Sequence, residues 1–328
     1  MELPSTMKAL EVTALNGPES MAITERPVPA AGPGQALIRV AAAGVNFADV
    51  MQTHGTYVGG PEPPYVPGIE AAGTVVAVGE DVSLPVGTRV IGAGSRAFAE
   101  YVSWPAAGLL PAPESWSDGQ AASFFVQWMT AHGCLRTFGR LTEGEVVLVH
   151  AAAGGVGTAA TRLAKHFGAV VVAAASSDAK LEVARNNGAD VLVNTSTADF
   201  VAAVQEHTHG QGADLVLEMV GGETFHRNRK ALRPFGRMVV FGAASAEQVQ
   251  VDNVSLVFEP MELIGYHLGQ LATQRPDLLL AGLAEVQQLI SDGVIQPDEP
   301  TSYPLADGAR ALSDLASRQT TGKLVLVP

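Results

Sequence analysis

A short strand, a glycine-rich turn and a helix follow one another between residues 145 and 165. Val146–His150 form an apolar run, and the helix after the turn carries apolar residues at helical spacing. Gly154 lets the backbone approach a pyrophosphate, and Gly157 lets the helix lie close to the strand. This order predicts a dinucleotide site, although Ala152 stands where the first glycine of the usual fingerprint would be. The alternative is a tight turn without a ligand. The predicted pyrophosphate-binding residues are Gly154, Gly155, Val156 and Gly157.

The chain lacks an acid where NAD-binding proteins usually carry one. A second apolar strand, residues 169–175, ends about 20 residues past the glycines, where a carboxylate would hold the ribose 2′-hydroxyl. Ser176 and Lys180 follow it, and a hydroxyl and an ammonium group suit a 2′-phosphate. We therefore predict NADPH as the cofactor, while Asp178 is close enough to leave NADH open. The alternative for Lys180 is a solvated residue on the next helix.

Strands and helices alternate through the middle of the chain. Further strands are predicted at 191–194, 215–220, 237–242 and 262–267, with helices at 178–187, 198–207 and 224–232. This alternation predicts a parallel, doubly wound sheet, in which ligands bind beyond the carboxyl ends of the strands. Phe241, Gly242 and Ala243 end one such strand and are candidates for the nicotinamide side of the site. Ordinary turn chemistry is the alternative.

Length and composition indicate a compact protein of about two domains. The 328 residues are 47% hydrophobic and 16% charged, which is typical of globular chains. A formal charge of −13 argues against nucleic acid or an anionic membrane as a partner. The single cysteine, Cys134, excludes a disulfide framework. No apolar run reaches the roughly 18 residues of a membrane span, and no secretory signal opens the chain. We therefore expect a cytoplasmic enzyme.

The first part of the chain differs from the middle. Short apolar runs at 36–40, 73–78, 89–91 and 99–102 are separated by glycine and proline clusters, which predicts a barrel-like β domain. Near the other end, predicted helices at 278–292 and 305–317 lead to a strand at 323–327. That strand has no obvious place in the nucleotide-binding sheet, so we expect it to rejoin the β domain.

Five segments carry a resemblance that runs along essentially the whole chain. They are AGVNFAD (43–49), PGIEAAGTV (67–75), VGTRV (86–90), HAAAGGVG (150–157) and SRQTTGK (317–323). In this order they resemble the medium-chain dehydrogenase/reductase superfamily and, within it, the zinc-free NADPH:quinone oxidoreductases. The resemblance implies an α/β fold in which a Rossmann doubly wound parallel sheet domain is inserted in a GroES-like β-barrel catalytic domain. The implied limits are 124–265 for the Rossmann domain, and 1–123 with 266–328 for the catalytic domain. It also implies a homodimer.

The resemblance bears on the metal as well. Zinc-dependent relatives carry a cysteine ligand where this chain has Asn46, and a histidine where it has Ile69. Catalytic zinc takes about three nitrogen, sulfur or oxygen ligands from the protein, and neither of these side chains serves. The eight histidines show no ligand-like spacing. We therefore expect no metal.

Without a metal, hydrogen-bond donors must stabilise the acceptor's developing oxyanion while hydride leaves the nicotinamide. The amide of Asn46 and the phenol of Tyr57 are candidate donors, and we expect Asp49 to orient a neighbour or a ribose hydroxyl. The resemblance places these three at the cleft, and Thr130 beside the nicotinamide. The alternatives are a turn residue for Asn46, a lid aromatic for Tyr57, and a helix residue with a satisfied hydroxyl for Thr130.

Three further positions modify this picture. Thr195 stands where related reductases often have a tyrosine near the adenosine or the 2′-phosphate. Arg318 matches an arginine that reaches the same phosphate from the C-terminal segment. Together with Lys180 it favours NADPH, with looser selectivity. Trp128 replaces a residue that is usually small, and we expect it to narrow the acceptor pocket.

Three functions remain open at this point. The first is an NADPH-dependent quinone reductase, because the chain offers no strong general acid and reduced quinones take protons from water. The second is an enone or enoyl-thioester reductase, for which an essential Tyr57 would argue. The third is an NADPH-binding structural or regulatory protein with little turnover.

Overall fold

The computed structural model describes residues 3–328, which divide into two compact units. One unit comprises the chain up to Val126 together with Gln296–Pro328, and the other comprises Gln127–Ile295. The first is built on antiparallel strands and the second on a parallel sheet. The predicted α/β class is therefore confirmed, while the domain limits inferred from the resemblance, at 123/124 and 265/266, stay a prediction.

The strands in chain order are β1 (Thr6–Val12), β2 (Met21–Pro27), β3 (Gln35–Val45), β4 (Glu70–Val78), β5 (Arg89–Ala93), β6 (Tyr101–Pro105), β7 (Leu110–Pro111), β8 (Val146–His150), β9 (Val170–Ala175), β10 (Val191–Asn194), β11 (Ala213–Glu218), β12 (Leu232–Val240), β13 (Glu262–Gly265), β14 (Thr301–Pro304) and β15 (Leu324–Val327).

The helices in chain order are α1 (Phe47–Thr53), α2 (Asp118–Ala122), α3 (Phe125–His132), α4 (Gly155–His166), α5 (Asp178–Asn186), α6 (Phe200–His207), α7 (Gly222–Ala231), α8 (Asn253–Phe258), α9 (Leu268–Gln274), α10 (Pro276–Ser291) and α11 (Gly308–Ala316). Among residues 3–328, no helix combines the length and the hydropathy that crossing a bilayer requires.

The parallel sheet has the strand order β10-β9-β8-β11-β12-β13. Numbered within the sheet, this order is 3-2-1-4-5-6, the doubly wound arrangement of dinucleotide-binding domains. The central strand β8 pairs on both sides, with Val147 opposite Val171 of β9 and Leu215 of β11. Because helices cover both faces of such a sheet, its strands are continuous apolar runs, which is why the sequence predicted them well.

Helices α5 and α6 begin where the sequence offers a capping side chain. Ser177 accepts a hydrogen bond from the Lys180 N–H, and Asp199 accepts one from the Val201 N–H. Such caps satisfy N–H groups that have no partner within a helix. The cap at Asp199 also explains why α6 starts two residues later than predicted.

The sheet of the first unit has the order β14-β15-β3-β4-β5-β7, and β6 also pairs with β3; its pairs are antiparallel except for the parallel pair β14 and β15. The C-terminal strand β15 runs antiparallel to β3, with Val325 opposite Gly44. The prediction that this strand rejoins the β domain is therefore confirmed. A pair of strands at the start of the chain, β1 and β2, was not predicted; it forms a separate antiparallel ribbon, with Leu10 opposite Ile23.

Candidate active and cofactor sites

Four side chains of the β unit form a buried polar cluster at the start of α1: Asn46, Asp49, Glu70 and Lys323. Asn46 precedes the helix and Asp49 lies in its first turn, where its Oδ2 accepts the Asn46 N–H at 2.8 Å. Glu70 begins β4, and Lys323 directly precedes β15. Both of these charged residues are buried, with exposures of 1% and 8%. The return of the C-terminal segment to this sheet thus completes the cluster.

Lys323 connects the other members of the cluster. Its Nζ donates to Asn46 Oδ1 at 2.6 Å and to Glu70 Oε1 at 2.5 Å. The remaining oxygen of Glu70 accepts the Val126 N–H at 2.9 Å. A buried charge is stable only when it is paired and hydrogen-bonded, and the ammonium and the carboxylate meet this condition for each other.

The amide of Asn46 is held in one orientation by this arrangement. Its oxygen faces the ammonium of Lys323, so its nitrogen faces the carboxylate of Glu70, at 2.9 Å. The same nitrogen also donates to the Gly44 carbonyl at 3.3 Å. Both amide hydrogens therefore have acceptors inside the unit, and donation to a substrate carbonyl would displace one of them. The role predicted for Asn46 stays a prediction.

The carboxyl group of Asp49 has a raised pKa. Complete burial raises its pKa to about 7, and the Glu70 charge adds to the rise, while the Asn46 N–H and the Lys323 charge oppose it. Its Oδ1 has no hydrogen bond of normal geometry among the described residues. Asp49 therefore exchanges a proton near neutral pH, which the sequence did not predict.

Two phenols lie within electrostatic reach of Asp49. Burial raises the pKa of Tyr57, and burial raises that of Tyr65 to about 12, with the charge of Asp49 contributing to both shifts. Tyr57 is half-buried in the loop after α1, and its predicted role stays a prediction. The buried Tyr65 hydroxyl has no hydrogen-bond partner among residues 3–328. Tyr65 was missed in the sequence, where the only signal was an aromatic residue between two proline clusters.

In the second unit, the glycine turn leads from β8 into α4 as predicted. Gly154 precedes the helix in an extended conformation, and no side chain of the described residues caps the helix. A Cβ atom at Gly157 would lie 2.3 Å from the Ala151 carbonyl oxygen, and one at Gly155 would lie 2.5 Å from Gln127 Oε1. Only glycine fits at 157, where the close atoms belong to the backbone, whereas at 155 the Gln127 side chain would have to move. The first turn of α4 thus presents uncapped N–H groups, the usual seat of a phosphate.

The carboxyl ends of β9 and β10 lie side by side. Ser176 and Thr195 are exposed there, and Lys180 is half-buried in the first turn of α5. Asp178, the residue that left NADH open, has its Oδ1 engaged by Asn194 Nδ2 at 2.7 Å. This edge therefore carries hydroxyl groups and an ammonium group, and its carboxylate is bonded to Asn194.

The loops after β11 and β12 are joined by backbone hydrogen bonds. The Ala244 N–H donates to the Met219 carbonyl and the Ser245 N–H to the Val220 carbonyl, both at 2.8 Å. The predicted nicotinamide-side residues Phe241, Gly242 and Ala243 belong to the second of these loops. Since all the strands are parallel, these loops lie at the same sheet edge as the glycine turn.

Two further predicted residues belong to other parts of the chain. Thr130 is buried in α3. Arg318 belongs to the other unit, where it is exposed and adopts a left-handed backbone conformation, with φ of 59°. Trp128, expected to narrow the acceptor pocket, is almost fully buried, and its indole N–H has no partner among residues 3–328.

Comparison with known proteins places the chain in a family. Residues 32–114 match the family described as "Alcohol dehydrogenase GroES-like domain", and residues 155–284 match "Zinc-binding dehydrogenase". The quinone oxidoreductase of Escherichia coli, solved in complex with NADPH, superposes with a TM-score of 0.90 at 30% identity, covering 98% of this chain and 100% of that one. The chain belongs to the medium-chain dehydrogenase/reductase superfamily.

Two curated members of the superfamily are similar over most of their lengths. The synaptic vesicle membrane protein VAT-1 homolog of Rattus norvegicus is 33% identical over 98% of this chain and 84% of its own length. The 2-haloacrylate reductase of a Burkholderia species is also 33% identical, over 95% of this chain and 96% of its own. The predicted family is therefore confirmed.

The zinc named in one family description has no evident cluster of ligands here. Within residues 3–328, no three His, Cys, Asp or Glu side chains lie close enough together to hold a metal ion. Cys134 is buried in the second unit, and burial raises the pKa of its thiol.

A second group of buried polar side chains lies at the carboxyl ends of β8 and β11. His150 Nε2 lies 2.7 Å from Asn228 Oδ1, and Asn228 Nδ2 donates to Glu218 Oε2. Burial lowers the pKa of His150 to about 4; the charge of Arg227 acts in the same direction, and the bond to Asn228 opposes it. The imidazole is therefore neutral at physiological pH. None of these three residues was predicted to have a role.

We expect Lys323→Met to lower the free energy of unfolding by about 3 kcal/mol, because the buried Glu70 charge loses its partner. Adding Glu70→Gln should recover part of this loss, since the remaining group is neutral. Urea denaturation of the two single variants and the double variant measures the coupling. As a control, Lys165→Met removes a half-exposed ammonium paired with Asp190 at 2.8 Å and should cost about 1 kcal/mol or less. Equal losses in the two single lysine variants would contradict the assignment.

We also expect the titration of His150 to make the free energy of unfolding depend on pH. Its pKa is about 4 in the folded state and about 6.5 in the unfolded state, so between these values mainly the unfolded chain takes the proton. The free energy of unfolding should fall as the pH drops through this window, by up to about 1.4 kcal/mol per pH unit from this residue.

The variant His150→Gln can keep the hydrogen bond to Asn228 but cannot titrate. Urea denaturation of both proteins at pH 7 and at pH 5 should show a smaller acid loss in the variant, since the other titratable groups are common to both. The same acid loss in both proteins would contradict a neutral His150.

Proposed function

We propose that the chain is an NADPH-dependent oxidoreductase that passes reducing equivalents to quinones or similar conjugated carbonyl compounds without zinc. The observation that carries the proposal is the uncapped glycine-rich start of α4, at the same sheet edge as the hydroxyl and ammonium groups of Ser176 and Lys180. The similarity to the Escherichia coli quinone oxidoreductase in complex with NADPH supports it.

The residues of the sheet edge fit NADPH. The backbone N–H groups of Gly155–Gly157 would hold the pyrophosphate, and the missing side chain at Gly157 lets the helix lie close to the turn that follows β8. Ser176, Lys180, Thr195 and Arg318 would hold the 2′-phosphate. Thr130 and residues 241–243 would border the nicotinamide. When bound, NADPH supplies a hydride to the acceptor.

The buried cluster of the β unit supports a zinc-independent mechanism. A cation is already present beside Asn46, because the Lys323 ammonium lies 2.6 Å from the amide oxygen. A zinc ion bound by Asn46 would have to displace this ammonium and would still lack the usual nitrogen and sulfur ligands. The Lys323–Glu70 pair keeps the amide oriented.

A second function is supported by Asp49. Reduction of an enone or an enoyl thioester needs a proton at the α-carbon, and a carboxyl group with a pKa of about 7 can supply one at neutral pH. The similarity to a 2-haloacrylate reductase favours the same function. A third possibility, an NADPH-binding protein with little turnover, is distinguished only by assay.

We further propose that the protein is a cytoplasmic homodimer that acts on small molecules. Strand β13 forms an edge of the parallel sheet and offers its backbone groups for further pairing. The preceding helix α8 exposes Val257 and Phe258 to 73% and 81%. Large exposed apolar side chains next to a sheet edge favour contact with a second copy.

We expect alanine at Lys180 and Arg318 to raise the KM for NADPH about tenfold each and to change the KM for NADH little, because only NADPH carries the 2′-phosphate. Steady-state kinetics with both cofactors measures the ratio. Arg310, an arginine on α11 with its ring contact to Tyr303, provides a matched control as Arg310→Ala. Equal changes for NADPH and NADH would refute the phosphate assignment.

NADPH oxidation with 1,4-benzoquinone, 9,10-phenanthrenequinone, a small enone and crotonyl-CoA decides the acceptor. We expect fast turnover with the quinones, and an Asp49→Asn variant that keeps this activity, because reduced quinones take protons from water. A preference for the enone or the thioester, lost in Asp49→Asn, would establish C=C reduction instead. Tight binding without turnover on any acceptor would establish a binding protein.

A further inference from the structure

We propose that His150, Asn228 and Glu218 form a positioning chain that holds two cofactor loops of the second unit together, an inference that rests on the function proposed above. The first loop, residues 151–154, follows β8 and leads into α4. The second loop, residues 219–221, follows β11 and leads into α7. The chain joins the last residue of each strand through one side chain of α7.

The carboxylate of Glu218 fixes the second loop. Its Oε1 accepts the N–H groups of Val220 and Gly221, at 2.6 and 2.7 Å. The loop needs such an anchor because Gly221 has φ of 82° and ψ of −167°, a conformation that is accessible essentially only to glycine. The loop that bears Phe241–Ala243 is attached to this segment by two backbone hydrogen bonds, which the carbonyl groups of Met219 and Val220 accept. A displacement of Glu218 would therefore also displace the loop proposed to border the nicotinamide.

The direction of the hydrogen bonds follows from the carboxylate. An ionised Glu218 only accepts, so the Asn228 amide turns its NH₂ group toward Glu218 and its oxygen toward His150. The oxygen in turn requires a hydrogen on His150 Nε2. The tautomer of His150 is thus set by a carboxylate two side chains away.

His150 fixes the first loop from the other end. Its ring packs edge-on against Phe200, with centroids 4.9 Å apart, and it is bonded to Asn228. The next residue, Ala151, has φ of 47°, and its carbonyl lies against Gly157. A non-glycine residue in this left-handed conformation is strained and persists only where its surroundings hold it. Holding His150 holds the strained turn from which α4 presents its N–H groups.

Two variants and one control test the chain. Asn228→Asp keeps the shape of the side chain but places a carboxylate oxygen against the carboxylate of Glu218. Because the two charges repel, both loops should become more mobile. Glu218→Gln keeps an acceptor for the loop N–H groups but faces Asn228 with an NH₂ group, so the amide flips and His150 becomes protonated on Nδ1. Asn187→Asp is the control, because Asn187 is also buried in this unit but bonds to α5 and Arg162.

Three measurements are made at pH 8. Without cofactor, amide hydrogen exchange in residues 151–157 and 219–221 should be about tenfold faster in Asn228→Asp than in the wild type or the control. The dissociation constant of NADPH should rise about tenfold in Asn228→Asp and stay close to the wild-type value in Asn187→Asp. In Glu218→Gln, ¹⁵N NMR of His150 should show the proton moved from Nε2 to Nδ1.

Each outcome decides between support and rejection. Equal exchange and equal affinity in Asn228→Asp and Asn187→Asp would overturn the positioning role. An unchanged His150 tautomer in Glu218→Gln would overturn the chain itself, and this holds even if Asn228→Asp does not fold. Absence of NADPH binding to the wild type would refute the proposed function. The exchange and NMR results would still test the positioning chain of His150, Asn228 and Glu218.

Discussion

An almost fully buried ammonium group ties the ends of the β unit together. Lys323 is separated by 277 residues from Asn46 and by 253 from Glu70, yet its Nζ bonds to both. Isolated burial of either charge would be prohibitive, so the ammonium and the carboxylate require each other. The pairing of β15 with β3 brings them together. The orientation of Asn46, the environment of Asp49 and the place of the C-terminal segment all depend on this contact.

The buried carboxylates of the two units are stabilised in different ways. Glu70 has a cation and two N–H donors, whereas Glu218 is surrounded by donors without a cation. Burial raises the pKa of Glu218, and the N–H groups of Gly221 and Val220 oppose the rise. Asp49 has fewer bonds than either, and its pKa rises to about 7. In Asp49 and Glu218 alike, burial raises the pKa and hydrogen bonds from backbone N–H groups oppose the rise.

The sequence predicted the parts of this molecule that local pattern determines. The strand before Gly154, the helix after it and the alternation that follows each lie within a short window, and parallel strands buried on both faces are apolar throughout. The buried contacts were not predicted. Asn228 and Glu218 are ten residues apart, but their bond depends on how α7 packs on the sheet. Lys323 lay inside a recognised motif, yet its partners come from the other end of the chain. For Tyr65, the sequence shows nothing beyond an aromatic residue that could have indicated its place near Asp49.

The titration of Asp49 links the electrostatics of the cluster to the choice of acceptor. Burial and the charge of Asp49 raise the pKa values of Tyr57 and Tyr65, so both phenols stay protonated at neutral pH. They are weak proton sources for the same reason. Asp49 is the group of this cluster that titrates near neutral pH. A reaction that takes its proton from water does not require the protonated form of Asp49. A reaction that takes its proton from the protein must draw on the protonated form, and its rate must then fall as the pH rises through about 7.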